Sequence, residues 1–268
     1  MSSNFVRFPA TQGHQLAGRL EIPAGTPRAY ALFAHCFTCS KDSKGAAFVG
    51  HALAARGIAV LRFDFTGLGE SDGDFADSNF SANIDDIVCA ARFLEREHAT
   101  PTILIGHSLG GAATLAAASA LPQARAVATI GSPFEPRHVE HLITKKEDLL
   151  NNGDATVDIG GRPFHVRRDF IDDLARHDPS GTIGSLRKAL LILHSPQDKI
   201  VSIDNAARIF TAARHPKSFV SLDRADHLLT QAEDATYAAE VIAAWASHYL
   251  EPVQVDAIPG VRVVEAGP

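Results

Sequence analysis

The sequence predicts one α/β domain: a mostly parallel central sheet with an antiparallel N-terminal edge, helices on both faces and a small cap insertion. Three observations predict it. Strand-like apolar runs alternate with helical segments, which implies parallel pairing through right-handed crossovers. One such run, Thr102-Ile103-Leu104-Ile105, breaks into Gly106-His107-Ser108-Leu109-Gly110 and then into a small-residue helix, the strand, turn and helix order of a nucleophile elbow. And 268 residues that are 46% hydrophobic suffice for one full core.

Phe5 to Phe8 and Gln15 to Ile22 alternate around Thr11-Gln12-Gly13 and read as the antiparallel edge pair. Arg28 to Ala34 reads as a buried strand, Gly45 to Arg56 as a helix, Ile58 to Asp64 as a strand and Asn79 to Glu97 as a long helix. Beyond the elbow come strands at Ala126 to Gly131, Ala189 to His194 and Ser218 to Leu222, with a helix over Asp204 to Arg214 between the last two. A helix over Glu233 to Leu250 closes the domain, with Trp245 on its core side.

The stretch from Ser132 to Lys188 interrupts this alternation. Its signals are a helix over His138 to Leu150, a hairpin over Val157 to Val166 turning at Gly160-Gly161, and a helix over Asp169 to Arg176. An insertion of this length at a sheet edge is expected to cover the site as a cap. After Leu250, residues 251–268 read as a linker.

A serine hydroxyl is a weak nucleophile at neutral pH and needs a histidine base oriented by a carboxylate. In a strand-turn-helix context the chain order is Ser, then Asp or Glu, then His. Ser108 is followed by Asp198, just past one strand, and by His227, just past the next. All three fall at the C-terminal edge of a parallel sheet, where such folds bind ligands. Among thirteen histidines, position selects His227; His107, His194, His138, His141 and His165 are read as packing or surface residues, and Asp226 as a solvent-exposed rival carboxylate. The oxyanion needs about two N–H donors. Leu109, after the nucleophile, supplies one, and Phe37, in the loop after the first buried strand, is the candidate for the other.

Several classes are excluded. A net charge of −6 with scattered cations leaves no footprint for nucleic acid or an anionic membrane surface. No stretch of about eighteen apolar residues occurs and the first residues carry no secretory pattern, so a cytoplasmic location is expected. Gly67-Leu68-Gly69-Glu70-Ser71-Asp72 lacks the final glycine of a dinucleotide fingerprint, and no cluster has zinc spacing, so no cofactor or metal is expected. Cys36, Cys39 and Cys89 make an odd count that suggests no secreted disulfide framework, and reduced thiols are expected.

These motifs resemble those of the α/β-hydrolase superfamily: His35 to Cys39, Arg62 to Ser71 (Arg-x-Asp-x-x-Gly-x-Gly-x-Ser), Gly106 to Gly110, Asp198 and His227, over residues 1–250. The wording His35-Cys36-Phe37-Thr38-Cys39-Ser40-Lys41-Asp42 is most similar to bacterial hydrolase domains that precede an OsmC-like domain, and less so to feruloyl or cinnamoyl esterases. The resemblance implies that the tail leads to such a C-terminal domain as partner. Cys36 and Cys39 stand where many relatives have glycine, and as a Cys-x-x-Cys pair read either as small apolar filler or as a redox pair. The expected function is hydrolysis of small carboxylic esters of short to medium acyl chain through Ser108, His227 and Asp198. A thioesterase, an acyltransferase, or a small-molecule-binding or redox-coupled module are the alternatives. The sequence specifies no oligomeric state.

Overall fold

A computed structural model of the chain describes residues 1–143, 146–159 and 162–250. Eight strands form one sheet: β1 (Ser2–Pro9), β2 (Gln15–Ile22), β3 (Ala29–Ala34), β4 (Ile58–Phe63), β5 (Ile103–His107), β6 (Ala126–Ile130), β9 (Ala189–His194) and β10 (Lys217–Ser221). Their spatial order is β1-β2-β4-β3-β5-β6-β9-β10. The first two strands pair antiparallel, and β2 joins β4 antiparallel. Every pair from β4 to β10 is parallel.

Burial explains the composition of the strands. In β4, β5, β6 and β9 every residue is buried, as expected of parallel strands covered on both faces, so they read as apolar runs rather than alternations. On one face α1 (Lys44–Ala55) and α8 (Ala232–Ala246) share a core with Phe33, Val60, Ile105 and Leu193. On the other, α2 (Phe80–Glu97), α3 (Leu109–Ala117) and α7 (Asp204–Ala212) pack over Leu32, Leu61, Leu104 and Val127. Asn79 caps α2, its side-chain oxygen accepting from the Ala82 N–H at 2.8 Å. Trp245 is half-buried against the core and donates its indole N–H to Ser218.

The order of strands reverses around β3, whose neighbours are β4 and β5. Loops leaving β3 and β5 therefore diverge to opposite faces and open a crevice at their C-terminal ends. The loop after β3 carries Phe37 and the turn after β5 carries Ser108.

The insertion between β6 and β9 differs in detail from its sequence reading. The helix expected over His138 to Leu150 is broken: a 3₁₀ segment covers Pro136–Leu142 and a separate helix, α4, covers Lys146–Asn152. Ile143 ends the first piece in an extended conformation, φ −87° and ψ 106°, which an α-helix cannot contain. The hairpin forms from β7 (Asp154–Ile159) and β8 (Arg162–Arg167), paired antiparallel; its expected turn at Gly160-Gly161 lies outside the described residues. A helix α5 (Arg168–Leu174) replaces the expected Asp169 to Arg176, and a further short helix, α6 (Pro179–Gly184), is capped by Asp178. The expected linker, 251–268, also lies outside the described residues. Among the described residues, no helix is long and apolar enough to cross a membrane.

Candidate active site

Ser108 sits between β5 and α3 with φ 56° and ψ −127°, a left-handed backbone that a non-glycine residue adopts only under constraint. Its own N–H is held by the Ile130 carbonyl at 2.9 Å, and its carbonyl accepts from Gly111 at 2.8 Å. Two glycines make the turn possible. A Cβ on Gly106 would lie 2.4 Å from the Gly110 carbonyl oxygen, and one on Gly110 would lie 2.2 Å from that of His35. Helix α3 thus starts directly against the end of β3, and Phe37, Leu109 and Gly110 line one small space there. Among the described residues, neither amide donates to another backbone carbonyl.

The structure joins the three expected side chains. His227 Nε2 is 3.0 Å from Ser108 Oγ, and its Nδ1 is 2.7 Å from Asp198 Oδ2. The other carboxylate oxygen, Oδ1, accepts the Ile200 and Val201 N–H groups, each at 2.9 Å. Burial opposes ionisation of Asp198, but the His227 hydrogen bond and charge and those two amides together hold its carboxyl below the usual range. Asp198 is therefore a carboxylate that receives the His227 Nδ1–H, leaving Nε2 to accept from the serine. Asp226, the rival, is exposed and instead accepts from the Thr230 N–H and hydroxyl.

Gly131 and two histidines read from the sequence as packing or surface residues hold these groups. Gly131, at φ 55°, ends β6 where a Cβ would come within 3.3 Å of Asp198 and 3.4 Å of His227. His194 is fully buried and donates from Nε2 to the Val201 carbonyl, steadying the loop that carries Asp198. His107 donates from Nε2 to the His227 carbonyl at 2.6 Å. Burial first, and then the neighbouring His227, push its pKa down to about 3, so it stays neutral in this role.

That depression has a sign. The unfolded chain binds a proton at His107 near the ordinary value while the folded protein does not, so stability is intact above pH 6.5 and falls as pH drops from there toward 3. At pH 5 the loss from this one group is about 2 kcal/mol. Urea unfolding of His107→Gln, which keeps an N–H donor but cannot titrate, is expected to show that much less decline between pH 7.5 and 5 than the unsubstituted protein.

The loop after β3 is anchored by buried charge. Lys41, 1% exposed, donates to the fully buried Asp64 at 3.0 Å, to Asp42 at 2.9 Å and to Glu70. Burial works against its ammonium, yet the three carboxylates raise its pKa above the usual value. Asp64 also accepts the Lys41 backbone N–H at 2.6 Å and the Glu70 N–H at 3.0 Å, and Gly69 leaves room for its carboxylate. Buried Arg62 donates to the Lys41 carbonyl and to Glu21. In front of these anchors the Phe37 ring stacks on Phe170 of α5 at 5.4 Å and meets Phe75 at 5.8 Å. The space behind it is only about 10 Å³, too small for a ligand. Beside His227 a cleft of about 410 Å³ opens, lined by Gln197, Lys199, Ile200, Arg224, Leu228 and Thr230.

The cysteines depart from expectation. Cys36 and Cys39 are joined in a disulfide, Cα atoms 5.3 Å apart, and Cys89 alone is a free thiol. The reading of all three as reduced thiols is corrected here. A tight turn, closed by the Cys39 N–H on the Cys36 carbonyl, brings the two cysteines together, as the redox-pair reading of their spacing allows. Among the described residues no group of His, Cys, Asp and Glu is arranged to hold a metal ion.

Comparison with known proteins agrees with this architecture. Residues 25–153 match the family described as "Serine aminopeptidase, S33". Palmitoyl-protein thioesterase ABHD10, mitochondrial, of Rattus norvegicus is 23% identical over 215 residues, 76% of this chain and 70% of that protein. Est1E from Butyrivibrio proteoclasticus with ferulic acid bound superposes with a TM-score of 0.80 over 92% of this chain and 100% of that one, at 18% identity. The esterase domain from a Rhodothermus marinus protein superposes with a TM-score of 0.78 and is 48% identical, covering 93% of this chain and 100% of that one. With a sheet reversing at β3, a strained serine after β5 and a relative this similar along its whole length, the chain belongs to the α/β-hydrolase superfamily.

Proposed function

We propose that this hydrolase is a serine carboxylesterase acting on small esters of short to medium acyl chain. The observation that carries the reading is the continuous relay from Asp198 through His227 to Ser108, at 2.7 and 3.0 Å, with the serine on a strained turn. His227 Nε2 takes the hydroxyl proton as Ser108 Oγ attacks the ester carbonyl, and Asp198 stabilises the imidazolium that forms. The Phe37 and Leu109 amides hold the oxyanion. His227 then delivers the proton to the departing alcohol, and the cleft it lines offers that alcohol room to leave. Water repeats the sequence on the acyl-enzyme, regenerating Ser108 and releasing the acid.

Two observations support small substrates. That cleft is modest for a ligand site, and the space under Phe37 is filled. A second reading, thioesterase, has a specific observation behind it in the ABHD10 relatives at 23 and 25% identity. Stopped-flow kinetics with p-nitrophenyl esters from acetyl to dodecanoyl, beside the matching acyl thioesters, tests the choice. The expected result is a burst of one p-nitrophenol per chain and a larger kcat/KM for the shorter esters than for any thioester; the reverse ranking would replace esterase by thioesterase.

A further inference from the structure

The Cys36–Cys39 disulfide brackets the residue assigned to the oxyanion. The Cys39 N–H donates to the Cys36 carbonyl at 3.1 Å, so residues 36–39 form a hydrogen-bonded turn with Phe37 and Thr38 at its two central positions. Thr38 has φ 60°. That conformation suits glycine, and for a β-branched side chain it is an outlier that persists only where the surroundings impose it. The covalent tie between the two ends of the turn is such an imposition, and it spans the peptide that carries the Phe37 N–H. Cys36 is buried at 4% exposure, whereas Cys39 is half-buried and so is the more exposed residue of the pair.

We propose that Cys36–Cys39 is a redox-modification site that accepts small dithiol reductants, and that its closed form holds the Phe37 amide where the oxyanion develops. The proposal rests on the esterase reading above. A thiolate of the reductant attacks Cys39 Sγ, forming a mixed disulfide and releasing the Cys36 thiolate. The reductant's second thiol then displaces Cys39 and closes the reductant's own disulfide. Two electrons and two protons pass from the dithiol to the protein, which ends with two thiols. With the tie open, Thr38 relaxes to negative φ and the Phe37 N–H turns away from where the oxyanion develops. The chemical step loses a donor while substrate binding is little changed.

The experiment uses a Cys89→Ser background, so that the starting thiol count is zero. Native protein is treated with dithiothreitol, desalted, titrated with Ellman's reagent and assayed on p-nitrophenyl butyrate, then reoxidised with diamide and assayed again. The expected result is two titratable thiols, a fall in kcat of about tenfold or more with KM within about twofold, and recovery on reoxidation. Cys36→Ser/Cys39→Ser is expected to sit at the reduced rate and ignore both reagents; should it not fold, the titration of the disulfide-bearing protein decides alone. Two thiols with an unchanged kcat, or no thiols released from the native protein, overturns the proposal. Absence of ester turnover in both states defeats the esterase reading instead. The Phe37 and Thr38 amide resonances then decide: movement between oxidised and reduced protein supports the switch, and coincidence overturns it.

Discussion

Ser108→Ala is expected to lower the kcat for p-nitrophenyl esters by roughly 10⁴-fold or more, leaving only what the amides and the binding surface contribute. The side chain's hydrogen bond is to His227, and the alanine Cβ occupies the same position on the turn, so circular dichroism and melting temperature are expected to stay close to those of the unsubstituted protein. The double variant Ser108→Ala/His227→Ala is expected to be no slower than Ser108→Ala alone, because groups that act as a unit fail together. Retention of more than about one part in a hundred of the activity would remove Ser108 from the nucleophile's role.

The largest effect on stability is expected at Lys41. Its ammonium is enclosed with the fully buried Asp64, and removing one partner of such a pair costs about 3–5 kcal/mol because the other charge is stranded. Lys41→Met keeps most of the apolar stem and deletes the charge. Urea unfolding at pH 7 is expected to show that loss, accompanied by slower ester turnover, since the same residue anchors the loop that bears Phe37. Adding Asp64→Asn is expected to return part of the stability, by removing the stranded carboxylate while an amide oxygen still accepts a backbone N–H. If the single variant is as stable as the parent, Lys41 is solvated rather than locked into the network.

What the sequence made legible follows from the kind of constraint involved. The elbow could be read because its steric demands fall on neighbours in the chain: Gly106 and Gly110 are required within two residues of Ser108. Asp198 and His227 could be read because each directly follows a strand of the parallel sheet. The Lys41–Asp64 and Arg62–Glu21 pairs could not, since partners 23 and 41 residues apart meet only after β2, β3 and β4 have been laid side by side. His107 reads from the sequence as a packing or surface residue, and its hydrogen bond to the His227 carbonyl, 120 residues away, is equally invisible before folding. The Cys-x-x-Cys spacing leaves filler and redox pair both open, and the closed disulfide is decided only by the folded turn, in which Thr38 takes a positive φ that local preference argues against. The broken helix in the cap has a simpler cause: β-branched Ile143 takes an extended backbone, and helix preference disfavours such a residue too weakly to mark a break.

The stack of Phe37 on Phe170 has a consequence for engineering this chain. Phe170 belongs to the insertion between β6 and β9, while Phe37 belongs to the loop after β3. Exchanging the insertion for another would therefore not change selectivity alone. It would also withdraw an aromatic support from that loop, so a transplant has to bring a matching ring with it or lose turnover number along with the old preference.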